Sequence, residues 1–160
     1  MSNWRLPFPV VADRFGSHSA DRKALGLGPH RGCDYNGFKA GTALPAVGNG
    51  MITLNQWSDV LGWVVVLKVG KHYFGYCHLN KQSPLAVGTK VKSGQSVGGA
   101  GTSGSASSGV HLHFTLSLLP KGVFAGKVYD AHGFLVTVIA RERINPVKLH
   151  FPTCKCKDTK

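Results

Sequence analysis

Apolar positions along the chain recur mostly at intervals of two, in short runs punctuated by glycine, and that rhythm predicts strands. Gly62 to Val69 is one continuous apolar run, rich in valine, and reads as a strand buried on both faces. Lys71 to Leu79 follows across a turn at Gly70-Lys71. Plain alternation puts His72, Phe74, Tyr76 and His78 on one face of it, with Gly75 as a point where a bulge would upset that parity. Upstream, Thr42–Val47 leads through Gly48-Asn49-Gly50 into Met51–Leu54. Downstream, residues 87–98 carry short β segments around turn glycines, and a strand opens at Val110-His111-Leu112-His113-Phe114 and runs to Leu119. There the two histidines share one face and Leu112 and Phe114 take the other. Val123–Tyr129 and Phe134–Ala140 read as a further hairpin about Asp130–Gly133, and helix is confined to a turn over Asp21–Gly26. The expected fold is mainly β, a single domain of antiparallel sheets with little helix.

Composition supports this: 21 glycines and 8 prolines in 160 residues, with only 16% charged, suit many turns. No apolar run is long enough to span a membrane, since Trp63–Leu67 ends at Lys68. The first residues lack the apolar core of a signal peptide, so the chain is expected to be made in the cytoplasm and to reach any outer target by another route.

Lysine and arginine outnumber acids 19 to 7, a formal charge of +12, which fits an anionic polymer as partner. Nucleic acid is not expected, because the basic residues are scattered and neither an RNA-binding aromatic signature nor a recognition helix is present. Anionic cell-wall polymers are the other candidate, charge alone does not decide, and no obligate protein partner is evident. Of four cysteines, Cys154 and Cys156 are too close for the usual zinc knuckle, and Cys33 and Cys77 lie far apart. Free thiols are expected.

The polar groups that face parity gathers on strands are His30, Asp34, His78, His111 and His113. Two histidines and an aspartate can hold a metal with a position left open, as catalytic sites do, and the other histidines are then free for proton transfer. Glu142 is the sole glutamate, and no His-Glu-x-x-His occurs. A base would therefore be histidine, or less readily aspartate. Tyr35 and Tyr76 flank these residues and are candidate substrate contacts, with packing the plainer reading. Trp57 and Trp63 read as packing. Cys33 and Cys77 are expected on the core side by alternation. His18, His72, His132 and His150 fit no motif and read as packed or surface residues. Residues 99–109, nearly all Gly, Ser, Ala and Thr, read as a loop beside a cleft because the His-x-His strand follows at once.

In order along the chain, these residues resemble the M23 (lysostaphin-type) zinc peptidases of bacterial cell-wall peptidoglycan. His-x-x-x-Asp stands at His30 and Asp34, Tyr-x-His-Leu at Tyr76 to Leu79, and His-Leu-His-Phe at His111 to Phe114. Val87-Gly88-Thr89-Lys90-Val91-Lys92-Ser93-Gly94-Gln95 is similar to the family's Val-Gly-x-x-Val-x-x-Gly-Gln, and Gly101-Thr102-Ser103-Gly104 to its Gly-Ser-Thr-Gly loop. The resemblance covers roughly residues 13–118, with Asn145-Pro146 and residues 144–150 closing the core, 120–143 as an inserted hairpin and 152–160 as a tail. Val110 stands where a proline is common, and Thr115 where Glu or Gln is common. The inserted hairpin would wall one end of the cleft or extend the sheet.

The resemblance implies one Zn2+ ion held by His30, Asp34 and His113, with His78 and His111 as the non-ligand catalytic pair. One of that pair would act as general base and the other as oxyanion stabiliser; the sequence does not apportion the roles. The implied activity is hydrolysis of stem or cross-bridge peptides in bacterial peptidoglycan, falling below about pH 6.5 as histidines protonate. A lysin encoded by a phage, released by a holin or carried in the virion, fits the small basic chain. The alternatives are a non-catalytic zinc-binding wall or scaffold module of the same fold and, from the Val-Gly-x-x-Val-x-x-Gly stretch, a biotinyl- or lipoyl-type carrier.

Overall fold

The computed structural model describes residues 3–144. In chain order the elements are α1 (Ala20–Ala24), β1 (Cys33–Tyr35), β2 (Ala43–Pro45), β3 (Gly50–Ser58), β4 (Gly62–Val69), β5 (His72–Leu79), β6 (Lys90–Val91), β7 (Ser96–Gly99), β8 (Leu112–Ser117), β9 (Val128–Tyr129) and α2 (Ala131–Ile144). Strands β1-β8-β5-β4-β3-β6 lie side by side in one sheet, with β9 also on β8, and every pairing is antiparallel. Strands β2 and β7 make a second, two-stranded sheet. The fold is thus mainly antiparallel β with little helix, as the glycine-punctuated alternation implies. Among the described residues no helix is long and apolar enough to cross a membrane. The Asn145-Pro146 and Cys154–Cys156 expectations lie outside the described residues.

The large sheet has two differently used faces. One carries Tyr35, Leu67, Phe74, Tyr76, Leu112 and Phe114 into the main core, which Leu44 of β2, Val97 of β7 and Leu135 of α2 close from the other side. Each such side chain contributes about 1.5–3 kcal/mol by leaving water. The opposite face carries a smaller cluster of Leu54, Val64, Val66, Cys77 and Val123. Gly75 lies there because Val123 presses on it: an added Cβ would meet Thr115 Oγ1 at 2.5 Å and Val123 Cγ2 at 2.7 Å.

Two sequence expectations are corrected. Phe134–Ala140 is helix, not the second strand of a hairpin. Its run of Val136, Thr137, Val138 and Ile139 favours strand by propensity, but Ala131, Phe134, Leu135, Val138 and Ile139 form a helical stripe that packs on the core. Asp130 caps it, accepting from Gly133 N at 2.9 Å through Oδ1 and from Phe134 N through its carbonyl. In the segment from Pro120, Val123 and Phe124 pack on the second face, and Val128–Tyr129 extends the sheet.

The other correction concerns Cys77. It lies opposite His113 across the β5–β8 pair, so both point to the second face and not to the main core. Between Trp63 and Val65 the β4–β5 register shifts: Leu79 opposes Trp63 and Tyr76 opposes Val65. Cys77 and His78 together oppose Val64 alone, which is a β-bulge. His78 sits at its end with φ +60°, a left-handed conformation costing roughly 1–2 kcal/mol for a non-glycine residue. The bulge turns His78 to the second face, out of the row of His72, Phe74 and Tyr76 that alternation predicts.

Candidate active site

The site is built on the second face, where β1, β8 and β5 adjoin. Asp34 and His113 are directly opposed across β1 and β8, which brings their side chains together. His113 Nδ1 lies 2.8 Å from Asp34 Oδ1 and 3.1 Å from His30 Nε2, and His30 Nε2 lies 3.2 Å from Asp34 Oδ1. His30 precedes β1 and is 3% exposed. It is held there by the segment 12–17, which runs alongside: Gly16 N donates to His30 O, His30 N to Ser17 O, and Asp34 N to Asp13 O, each at 2.8 Å.

His30 Nδ1 faces two acceptors, Arg14 O and Asp13 Oδ2, each at 3.2 Å. In the neutral ring the proton therefore sits on Nδ1 and Nε2 presents its lone pair to the cluster. Burial alone would lower the pKa of His30, but the hydrogen bond and charge of Asp34, with Asp13 and Arg14 O behind, outweigh it and raise the pKa. For Asp34, burial pulls upward and is overcome by hydrogen bonds and charge from His113 and His30, which hold the carboxyl well below its usual range. A ring nitrogen lone pair, a second ring nitrogen and a carboxylate oxygen within about 3 Å of one another call for a positive charge among them. His30, Asp34 and His113 each offer one such atom, all within 4.8 Å. Two nitrogens and one oxygen are the donors zinc takes in open, catalytic sites, so the residues fit that ion.

Gly32 leaves room for this arrangement. A Cβ there would lie 2.6 Å from His113 Cε1 and 2.8 Å from His113 Nε2, inside van der Waals contact.

His78 and His111 complete the group. Their ring centroids are 4.7 Å apart, and the His78 ring lies 6.0 Å from that of His113. Both are oriented by the Gly/Ser-rich loop that precedes β8. His78 Nδ1–H donates to Ser103 O at 2.7 Å, and His111 Nδ1–H donates to Gly109 O at 2.8 Å with Ser107 Oγ at 3.3 Å. With Nδ1 so committed, Nε2 of each neutral ring is an acceptor. His78 is 2% exposed; burial, with the His111 and His113 rings adding to it, lowers its pKa to about 4. It is neutral at pH about 7.

All five motif residues thus meet. The two tyrosines do not join them. Tyr35 and Tyr76 are fully buried on the main-core face. The Tyr35 hydroxyl donates to His132 Nδ1 at 2.9 Å, and Tyr76 donates to Pro45 O and accepts from Val47 N, both at 3.1 Å. Neither reaches the cleft, so their candidate role as substrate contacts is corrected in favour of packing, the plainer reading of both. Cys33 and Cys77 are free and buried. His72 packs against Phe134, and His18 Nε2 lies 3.1 Å from Leu27 O. The sequence reading missed Asp13, Ser103 and Gly109, which touch the site histidines. Ser103 and Gly109 lie in the 99–109 loop that the sequence places beside the cleft, Ser103 within its Gly101–Gly104 motif. Asp13 carried only the signal of being one of 7 acids in the chain.

The profile of peptidase family M23 matches residues 28–130, a stretch that contains all five of these residues. Solved structures show the same likeness. The catalytic domain of the antimicrobial peptidase lysostaphin from Staphylococcus simulans is 27% identical, over 84% of this chain and 93% of that one, with a TM-score of 0.64. The catalytic domain of the prophage-encoded M23 protein EnpA from Enterococcus faecalis, as a single-site mutant, is 30% identical over 76% and 87%, with a TM-score of 0.62. A zinc-containing peptidase from Vibrio cholerae is 25% identical over 67% of this chain and 32% of that one, with a TM-score of 0.55.

Proposed function

Because the chain belongs to peptidase family M23, we propose that it is a zinc-dependent endopeptidase that hydrolyses stem or cross-bridge peptides of bacterial peptidoglycan. The observation that carries this reading is the convergence of His30 Nε2, Asp34 Oδ1 and His113 Nδ1 at 2.8–3.2 Å beside two further histidines. Those three atoms would hold one zinc ion. Bound there, zinc supplies a Lewis acid that polarises a carbonyl and makes water more acidic.

The remaining steps fall to the chain's own side chains. His111 Nε2 takes the proton of the attacking water and returns it to the leaving amine. As the ring becomes an imidazolium, its Nδ1–H bond to Gly109 O strengthens and steadies the charge. His78 stays neutral, because burial pushes its pKa down to about 4. Its bare Nε2 accepts a hydrogen bond and so orients a water or a substrate N–H. With its Nδ1–H committed to Ser103 O, His78 could take the oxyanion role, one of the two left open between the histidines, only as a protonated ring, which its burial opposes.

A formal charge of +12 favours encounter with anionic wall polymers. The likeness to a prophage-encoded relative supports a lysin role, on release from a host cell or carriage in a virion. The reading is tested by incubating the protein with purified walls of several cross-bridge types and identifying the released fragments by mass spectrometry. New free amines at peptide bonds are expected from at least one wall type. Bound zinc without cleavage of any wall would favour the non-catalytic module instead.

A further inference from the structure

Ser103 is none of the five motif residues, yet it joins three parts of the structure that meet beside His78. Its hydroxyl accepts from Trp63 N at 3.0 Å and donates to Leu79 O at 2.6 Å. Trp63 and Leu79 are opposed across β4 and β5 at the end of the bulge. The hydroxyl, donor and acceptor at once, therefore bridges a backbone N–H and a carbonyl that face each other where the ladder has opened. The same residue's carbonyl accepts the Nδ1–H of His78 at 2.7 Å, and His78 N donates to Leu61 O at 2.8 Å. Further along, Ser105 N donates to Asp59 O at 2.8 Å and Ala106 N to Val60 O at 3.0 Å, so the loop is sewn to the β3–β4 turn beyond this point.

We infer that Ser103 is a positioning residue: its hydroxyl latches the Gly/Ser-rich loop into the opened β4–β5 ladder, so that its carbonyl holds His78 as the Nδ1–H tautomer with Nε2 bare. The physical need is specific. The bulge that turns His78 toward the site opens the ladder at Trp63 and Leu79, and a side chain able both to give and to accept one hydrogen bond closes that gap. Alanine at this position leaves Trp63 N–H and Leu79 C=O without the bridge and frees the loop to shift, taking with it the carbonyl that defines the tautomer. Threonine keeps the hydroxyl. The inference rests on the reading of His78 as part of a catalytic site, but the tautomer itself is a property of the folded chain, whether or not a wall is cut.

The test is long-range 15N–1H correlation of the imidazoles in uniformly 15N-labelled, zinc-loaded protein, wild type against Ser103→Ala and Ser103→Thr, alongside kinetics on purified walls. Wild type and Ser103→Thr are expected to show His78 as the Nδ1–H tautomer alone. Ser103→Ala is expected to show both tautomers, with kcat down about tenfold or more and with KM and zinc content unchanged. If Ser103→Ala does not yield folded protein, Ser103→Cys, whose thiol is a weaker donor and acceptor, is read in the same way. A variant lacking the hydroxyl that keeps the pure Nδ1–H tautomer overturns the inference, whatever its activity. So does a Ser103→Thr protein that shows the mixture. Absence of wall cleavage by the wild type would overturn the proposed function and leave the tautomer measurement decisive for Ser103.

Discussion

The imidazoles of His78 and His111 face each other with centroids 4.7 Å apart, and a single backbone irregularity makes that contact available. In an unbroken strand His78 would follow Tyr76 into the main core. The bulge spends a left-handed residue, φ +60° at His78, to bring it beside His111 and His113. Strain of this kind, roughly 1–3 kcal/mol, is held in place by the surroundings. Here those surroundings are Leu61 O on its backbone N–H and Ser103 O on its ring.

The division of labour between the two histidines predicts a graded pair of losses. His111→Ala should lower kcat by about a hundredfold to ten-thousandfold while zinc content is retained, since a proton carrier contributes that much. His78→Ala should cost less, because in the proposed mechanism His78 orients and does not carry the proton. Steady-state kinetics with metal analysis on both variants checks this; equal losses, or a larger one for His78, would reverse the assignment.

Gly32 predicts a loss without replacement of any proposed ligand. A Cβ at this position would crowd His113 Cε1 at 2.6 Å and Phe114 O at 2.8 Å, so Gly32→Ala is expected to shift the ring and the adjoining β8 backbone from their place beside Asp34. Zinc affinity should fall by about tenfold to a hundredfold, measured by competition with a fluorescent chelator. Unchanged affinity would mean that the ring tolerates displacement.

Acid should destabilise the fold through His78. Its pKa is depressed to about 4 by burial, with the His111 and His113 rings adding to it. The stability it contributes is therefore present above its unfolded value of about 6.5 and is lost as pH falls from there toward about 4, as the unfolded chain takes up a proton the folded chain refuses. His72 and His132, also lowered by burial, act in the same direction. His30, whose pKa is raised on balance by Asp34 and Asp13 against its burial, acts in the opposite one. Urea midpoints of the metal-free protein should fall across this window, and His78→Gln should flatten the dependence. An equally steep dependence in the variant would move the cause elsewhere.

Tyr76 belongs to the core, so its hydroxyl should matter for stability and little for turnover. Tyr76→Phe removes the partner of Val47 N and Pro45 O and should cost about 1–3 kcal/mol of unfolding free energy. Wall cleavage per folded molecule should stay near wild type; a changed KM would restore the substrate role.

Much of this architecture is legible in the residues themselves. Gly62 to Val69 is a strand over its whole length, and the His111–Phe114 alternation places Leu112 and Phe114 in the core. The five polar residues were findable because their order and spacing along the chain are distinctive. What escaped was set by contacts distant in sequence. No residue type announces a bulge at Cys77-His78, since both are ordinary strand residues and the irregularity is fixed by the pairing with β4. Val136 to Ile139 reads as strand until α2 is seen to have a core face to cover. Asp13 and Ser103 act on His30 and His78 across 17 and 25 positions respectively, which local pattern does not reach.

Zinc titration of metal-depleted protein, followed by release of free amines from purified walls, tests whether His30, Asp34 and His113 form the working centre. Activity should be absent at the start, rise in proportion to added zinc and level off at one ion per chain. His113→Ala and Asp34→Ala should show neither binding nor cleavage across the same range. Full cleavage by the metal-depleted protein, or cleavage by either variant at wild-type rate, would contradict it.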